Sequence, residues 1–164
     1  MDLVPRRAQL NDAPGLARLH AETVADAYAG IFPPESPAPT PAQLAPDYEA
    51  LLRRGDDVWL FEDDGCVSGA IALVADPGVP AGWRIERFNV HPRRQSNGLG
   101  AALYRCALAS ARHNGARQLN LWVLEKNDRA RAIYEAWGWM LVPGRTLANE
   151  PPEVLDVLYE LQLD

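Results

Sequence analysis

Phe88-Asn89-Val90-His91-Pro92-Arg93-Arg94-Gln95-Ser96-Asn97-Gly98-Leu99-Gly100-Ala101-Ala102-Leu103 reads as a strand, a short Gly-containing loop and the first turn of a helix. That order aims several backbone N–H groups, and the positive end of a helix dipole, at one point, which suits a phosphate. Gly98 and Gly100 stand where backbone must approach a ligand closely or take positive φ. A P-loop fits the stretch poorly, because Gly100 is followed by Ala101 and Ala102 instead of Lys and Ser or Thr. A dinucleotide fingerprint fits poorly too, because Leu103 stands where its third Gly belongs.

Outward from this stretch, the chain alternates strand and helix patterns. Leu3 to Gln9 reads as a first strand, and Asn11 and Asp12 are N-cap residue types before a helix. Leu16, Leu19, His20, Thr23, Val24 and Ala27 recur at helical spacing. Gly30 to Pro41 carries five prolines and reads as irregular, and a second helix is expected over Ala42 to Arg54. Val58–Glu62 and Val67–Ala75 are strand candidates joined by the hairpin-type turn Asp63-Asp64-Gly65. Pro77 to Gly82 breaks the chain before a strand over Trp83 to Val90.

In the helix expected over Gly98 to Asn114, Leu99, Ala102, Leu103, Cys106, Ala107 and Ser110 form a core-facing stripe. Gln118 to Leu124 is a strand, Asp128 to Trp137 a helix and Trp139 to Val142 a short strand. Pro143 to Pro152 reads as a loop and Val154 to Leu161 as the last strand.

The whole stretch from residue 1 to residue 164 fits one domain. Hydrophobic content of 48% is enough for a core. No run of about 18 apolar residues predicts a membrane span, and the N-terminus lacks the apolar stretch of a signal peptide. Two separated cysteines, Cys66 and Cys106, predict neither a disulfide framework nor a metal site, and suit a reducing cytoplasm. Neither looks like an activated nucleophile. A formal net charge of −6 disfavours nucleic acid as a partner and suits a cationic amine, although many acidic proteins are so charged only for solubility.

The Gln95-to-Gly100 loop resembles the acetyl-CoA pyrophosphate signature of the GNAT superfamily of N-acetyltransferases. Leu121 to Trp139 resembles that family's later motif: a strand, Asn127, an Ala-rich helix, Tyr134, then Gly138 with an aromatic. The resemblance covers nearly the whole chain. It implies an α/β (α+β) fold with a mixed, mostly antiparallel sheet of about six to seven strands and about four helices, the parallel strands splayed at the cofactor site.

It further implies acetyl-CoA as cofactor. Backbone of Phe88 and Val90 would hold the pantetheine arm. Gln95, Ser96, Asn97, Gly98, Leu99, Gly100 and Ala101 would hold the pyrophosphate, with Arg93 and Arg94 as further phosphate candidates. Asn127 would contact the cofactor and the Tyr134 hydroxyl would lie near its sulfur. Asn127 and Tyr134 are seven positions apart, about two helical turns, and so face one way. A phenol is a suitable acid for a departing thiolate. Read without the resemblance, Asn127 is equally a helix N-cap and Tyr134 a packed aromatic.

The acceptor must lose a proton before it attacks. Family members use a Glu on the strand before the loop, a Glu on the later strand, or water. Trp122 occupies the later position, which leaves Glu86, expected by alternation on the same face as Phe88 and Val90. Glu86 reads equally as the ion-pair partner of Arg84 or Arg87. His91, before Pro92, reads as structural. Tyr28, Phe32, Trp83 and Trp122, with the Pro143 to Pro152 loop, are the acceptor-side candidates. They leave small amines, aminoglycosides, amino acids, polyamines and protein N-termini all open. A non-catalytic acyl-CoA-binding or sensing module is the rival reading, and a nucleotide-phosphate enzyme rests on the Gly loop alone. Homodimers are frequent in the family, and nothing in the residues establishes one.

Overall fold

The computed structural model describes residues 3–79 and 81–164. Met1, Asp2 and Pro80, the last within the expected Pro77–Gly82 chain break, lie outside the described residues. Seven strands form one sheet: β1 (Arg6–Arg7), β2 (Asp57–Asp63), β3 (Cys66–Ala75), β4 (Gly82–Val90), β5 (Gln118–Leu124), β6 (Met140–Ala148) and β7 (Leu155–Gln162). Their order across the sheet is β1-β2-β3-β4-β5-β7-β6. Helices α1 (Ala13–Tyr28) and α2 (Pro41–Arg53) pack on one face, and α3 (Leu99–His113) and α4 (Asp128–Ala136) accompany the other. No helix of the described residues is long and apolar enough to cross a membrane.

Local chemistry accounts for most of these elements. Thr40 and Gln43 exchange side-chain-to-backbone hydrogen bonds at the start of α2 and close a capping box. Asp64 and Gly65 both take positive φ, 49° and 74°, as the tight turn between β2 and β3 requires.

Two elements differ from expectation. The first strand shrinks to Arg6–Arg7, paired with Leu60 and Trp59. β6 instead runs on through Pro143 and Gly144 to Ala148, so most of the expected loop is strand. It crosses those breakers through a register shift between Leu141 and Thr146 on β7. The apolar stripe of α3 is also rotated: Tyr104 and Ala111 are buried, while Cys106 and Ser110 are half-buried.

Every strand pair is antiparallel except β4 with β5. That parallel pairing joins Gly82–Arg84 to Gln118–Asn120 and goes no further. Beyond Arg84 the two strands diverge, giving the expected splay.

β4 also carries a bulge. Ala70 pairs with Asn89 and Ala72 with Glu86, so Arg87 and Phe88 together oppose Ile71. Arg87 takes φ 51°, a left-handed conformation that costs a non-Gly residue about 1–3 kcal/mol and persists only where the surroundings impose it. The extra residue resets the alternation. Glu86 faces the α1/α2 side with its partner Ala72. Val90, with Phe88, packs in the α3-side core. The expected shared face of Glu86, Phe88 and Val90 is therefore wrong, because simple alternation does not survive a bulge.

Candidate active site at the β4/β5 cleft

The splay opens a cleft of about 460 Å³. Phe88 and Val90 form one wall; Gln95, Ser96, Gly98, Gly100 and Ala101 form its mouth; Asn127, Arg129 and Tyr134 line the α4 side. Thr23, Asp26 and Ala27 of α1 line it too, so the opening reaches the α1 side of the sheet.

The loop is held open from within. Gln95 Nε2 donates to the carbonyl of Val90 at 3.1 Å and ties the loop to the end of β4. Ser96 takes φ 66° and Gly98 φ 87°, a backbone that turns sharply into α3. Asn97 Oδ1 accepts from the N–H of Leu99 at 3.3 Å. The N–H of Ala102 reaches the carbonyl of Gly98, so Gly100 and Ala101 lie in the unclosed first turn, where N–H groups point outward. Leu99 is 1% exposed and anchors the turn in the core. A Cβ on Gly100 would sit 3.6 Å from Val90 Cγ2 and 3.8 Å from Phe88 Cζ, filling the gap between loop and strand. An open first turn beside an unfilled gap fits an extended phosphate-bearing ligand.

The arginines divide differently from expectation. Arg94 is taken up by an ion pair with Asp63. Arg129 lines the cleft and donates from Nη2 to Ser96 Oγ at 3.3 Å. Its place in the first turn of α4, two positions after Asn127, was the available clue. His91 reads structurally: its Nδ1 accepts from the N–H of Arg93 at 3.2 Å and its Nε2 lies 3.1 Å from Glu22.

Asn127 caps α4, its Oδ1 accepting from Ala130 N–H at 3.2 Å, and also lines the cleft. Tyr134 packs edge-on against Trp137 and Trp139, at centroid distances of 6.3 and 6.0 Å. Burial, reinforced by the neighbouring Tyr104, pushes its phenol well above the ordinary value. Cys106 is likewise raised by burial, the opposite of an activated thiol.

On the α1 side, Glu86 accepts from Arg84 Nε at 2.8 Å. Tyr28 and Phe32 stack at 4.2 Å and line a groove of about 1100 Å³, and Phe32 also lines a neighbouring one of about 350 Å³. Asn149, Glu150 and Pro151 line the larger one, and Glu125 and Lys126 the smaller. Trp122 pairs with Leu158 on the face opposite α3, whereas Trp83 packs in the α3-side core next to the closed part of β4. Trp83 is thus not gathered with Tyr28 and Phe32. Asp156 of β7, which no local motif singles out, pairs with Leu124 of β5, and burial raises its carboxyl pKa.

Comparison with known proteins agrees with this geometry. Residues 21–139 match the model of the Acetyltransferase (GNAT) family, and the chain belongs to that family, whose cofactor is acetyl-CoA. It is 30% identical over 152 residues to the "Probable N-acetyltransferase" of Mycobacterium tuberculosis, an overlap covering 89% of this chain and 84% of that one. An N-acetyltransferase structure from Staphylococcus aureus Mu50 superposes with a TM-score of 0.77 at 18% identity, covering all of both chains. The paia N-acetyltransferase of Thermoplasma acidophilum, solved with coenzyme A, superposes with a TM-score of 0.74 at 16% identity over 99% of this chain and 100% of that one. These last two likenesses establish the fold.

Proposed function

We propose that this protein transfers the acetyl group of acetyl-CoA to a primary amine by direct attack in a ternary complex. One observation carries the reading: the splay brings the open turn of α3, the Phe88–Val90 edge and the Tyr134 side chain onto a single cleft. Acetyl-CoA supplies the activated acetyl group as a thioester.

Gly100 and Ala101 N–H groups and Arg129 bind the pyrophosphate. Backbone of Phe88 and Val90 holds the arm and polarises the carbonyl. Tyr134 keeps its proton across the working pH range and gives it to the sulfur as the bond to carbon breaks. Asn127 orients the start of α4, and with it Tyr134.

The acceptor approaches from the α1 side. There the stacked Tyr28 and Phe32, and the carboxylates of Glu125, Glu150 and Glu153, suit a protonated amine. Glu86, which faces that side beside Ala72, or a water takes the ammonium proton; its pairing with Arg84 makes the water route the direct competitor. The amine nitrogen bonds to the carbonyl carbon as the carbon–sulfur bond breaks; of the two protons that the nitrogen loses, one returns through solvent to Tyr134 and the other leaves to solvent.

Calorimetric titration with acetyl-CoA, desulfo-CoA and ATP tests the reading, followed by an amine panel. One-to-one binding of both CoA species, weak ATP binding and amine-dependent thiol release are expected. Tight acetyl-CoA binding with no turnover on any amine, even at high pH, would instead establish a binding or sensing module. Comparable binding of ATP would return the Gly loop to a general phosphate site.

A further inference from the structure

Beneath the bulge, on the face away from α3, lies a cluster that the proposed chemistry does not use. The Arg87 guanidinium sits 4.8 Å from the centroid of the Tyr48 ring and 3.9 Å from the Asp47 carboxylate. Tyr48 is 1% exposed, and its hydroxyl lies 2.9 Å from His20 Nδ1. Asn89 is 8% exposed. Arg87 Nε and Asn89 Nδ2 are buried without a hydrogen-bond partner. None of these residues is among those lining the three grooves described above.

That backbone is unusual at one point. Arg87 alone in β4 takes positive φ, and it immediately precedes Phe88. An arginine gains nothing intrinsic from such a conformation, which persists only where outside contacts impose it. The contacts in view are the Tyr48 ring and Asp47, both from α2, about forty residues earlier in the chain. Without the bulge, alternation would carry Phe88 and Val90 to the α1/α2 face and Asn89 to the cleft.

We infer that the Arg87–Tyr48 stack is a latch: gripped from α2, it fixes the β4 bulge and thereby presents the Phe88–Val90 edge to the cofactor cleft. Arg87 and Tyr48 are positioning residues, acting on the cofactor arm through backbone from the opposite side of the sheet. His20 completes the latch by holding the Tyr48 hydroxyl. The inference rests on the placement of acetyl-CoA in the β4/β5 cleft.

Two substitutions at one position separate latch from bulk structure. Arg87→Met removes the grip and keeps the strained backbone, whereas Arg87→Gly removes the grip and lets the positive φ form freely. Amide hydrogen exchange on ligand-free protein should show faster exchange at Phe88 and Val90 in Arg87→Met than in Arg87→Gly, with Leu121 to Val123 unchanged in both.

Titration with acetyl-CoA should show about tenfold weaker binding for Arg87→Met and affinity within about threefold of wild type for Arg87→Gly. Adenosine 3′,5′-bisphosphate, which lacks the arm, should bind both variants within about twofold of wild type. Equal loss in the two variants, no loss in either, or loss of both ligands together would overturn the latch. A wild-type protein that binds neither ligand would overturn the cofactor placement instead, and the exchange measurement would still judge the bulge.

Discussion

The Tyr48 hydroxyl and Nδ1 of His20 are hydrogen-bonded at 2.9 Å, with the two rings edge-to-face at 5.8 Å. Burial, with the positive Arg87 nearby, pushes His20 down to about 4. Its unfolded value is about 6.5, so between those values the unfolded chain binds the extra proton and the folded chain refuses it. Stability is then complete above about pH 6.5 and falls by up to about 3 kcal/mol as pH drops to 4. Urea unfolding over that range should show the decline, and His20→Gln should flatten it. An equally steep decline in the variant would assign it to other groups.

Tyr134→Phe keeps the ring against Trp137 and Trp139 and removes the acidic proton. Turnover should fall by about 10²–10⁴, as for a lost general acid, with acetyl-CoA affinity changed less than about twofold. Parallel loss of kcat and binding would make Tyr134 structural.

Gly100→Leu should place its side chain in the gap bounded by Val90 and Phe88. The α3 position tolerates a Leu backbone, so thermal stability should hold while acetyl-CoA affinity falls by at least about tenfold. Calorimetry beside a melting curve reads both. Retained affinity would mean the ligand does not pass over Gly100.

Trp139 Nε1 donates to the Tyr104 hydroxyl at 2.9 Å in the α3-side core, where both side chains are buried. Tyr104→Phe leaves that indole N–H without an acceptor and should cost about 1–3 kcal/mol of unfolding free energy. Because Tyr104 also stacks on Trp137 at 4.2 Å, and Phe preserves that stack, the loss isolates the hydrogen bond. A chemical-denaturation curve identical to wild type would refute it.

What was legible in the sequence was local. Gln118–Leu124, the Asp64-Gly65 turn, the cap at Asn127 and the strand-loop-helix around Gly98 each follow from a few neighbouring residues, and each is found. The parting of Phe88 and Val90 from the face of Glu86 had a non-local setting: nothing beside Arg87 announces a positive φ, and the side chains that meet it, Tyr48 and Asp47, come from α2. β6 is similar, since Pro143 and Gly144 signal a loop and only the β7 pairs on either side of them, at Leu141 and Thr146, carry the strand across. The contribution of Thr23 and Asp26 to the cleft was hidden because α1 carries a core pattern throughout, and only the splay exposes its last turns to the site.

The narrowness of the β4/β5 junction has a thermodynamic consequence. Three residue pairs join one antiparallel ladder, β1 to β4, to another, β5 to β6. Only the edge pairing of β1 with β2 is shorter, so across the seam the two ladders are held together mainly by the apolar core beneath them, to which Leu73 and Ile85 contribute from one side and Leu121 and Tyr159 from the other. A ligand lying along the seam touches both sides and stabilises their union more than either part. Binding therefore adds to the hold of the core a second tie across the seam, and the midpoint of unfolding should rise with occupancy of the cleft.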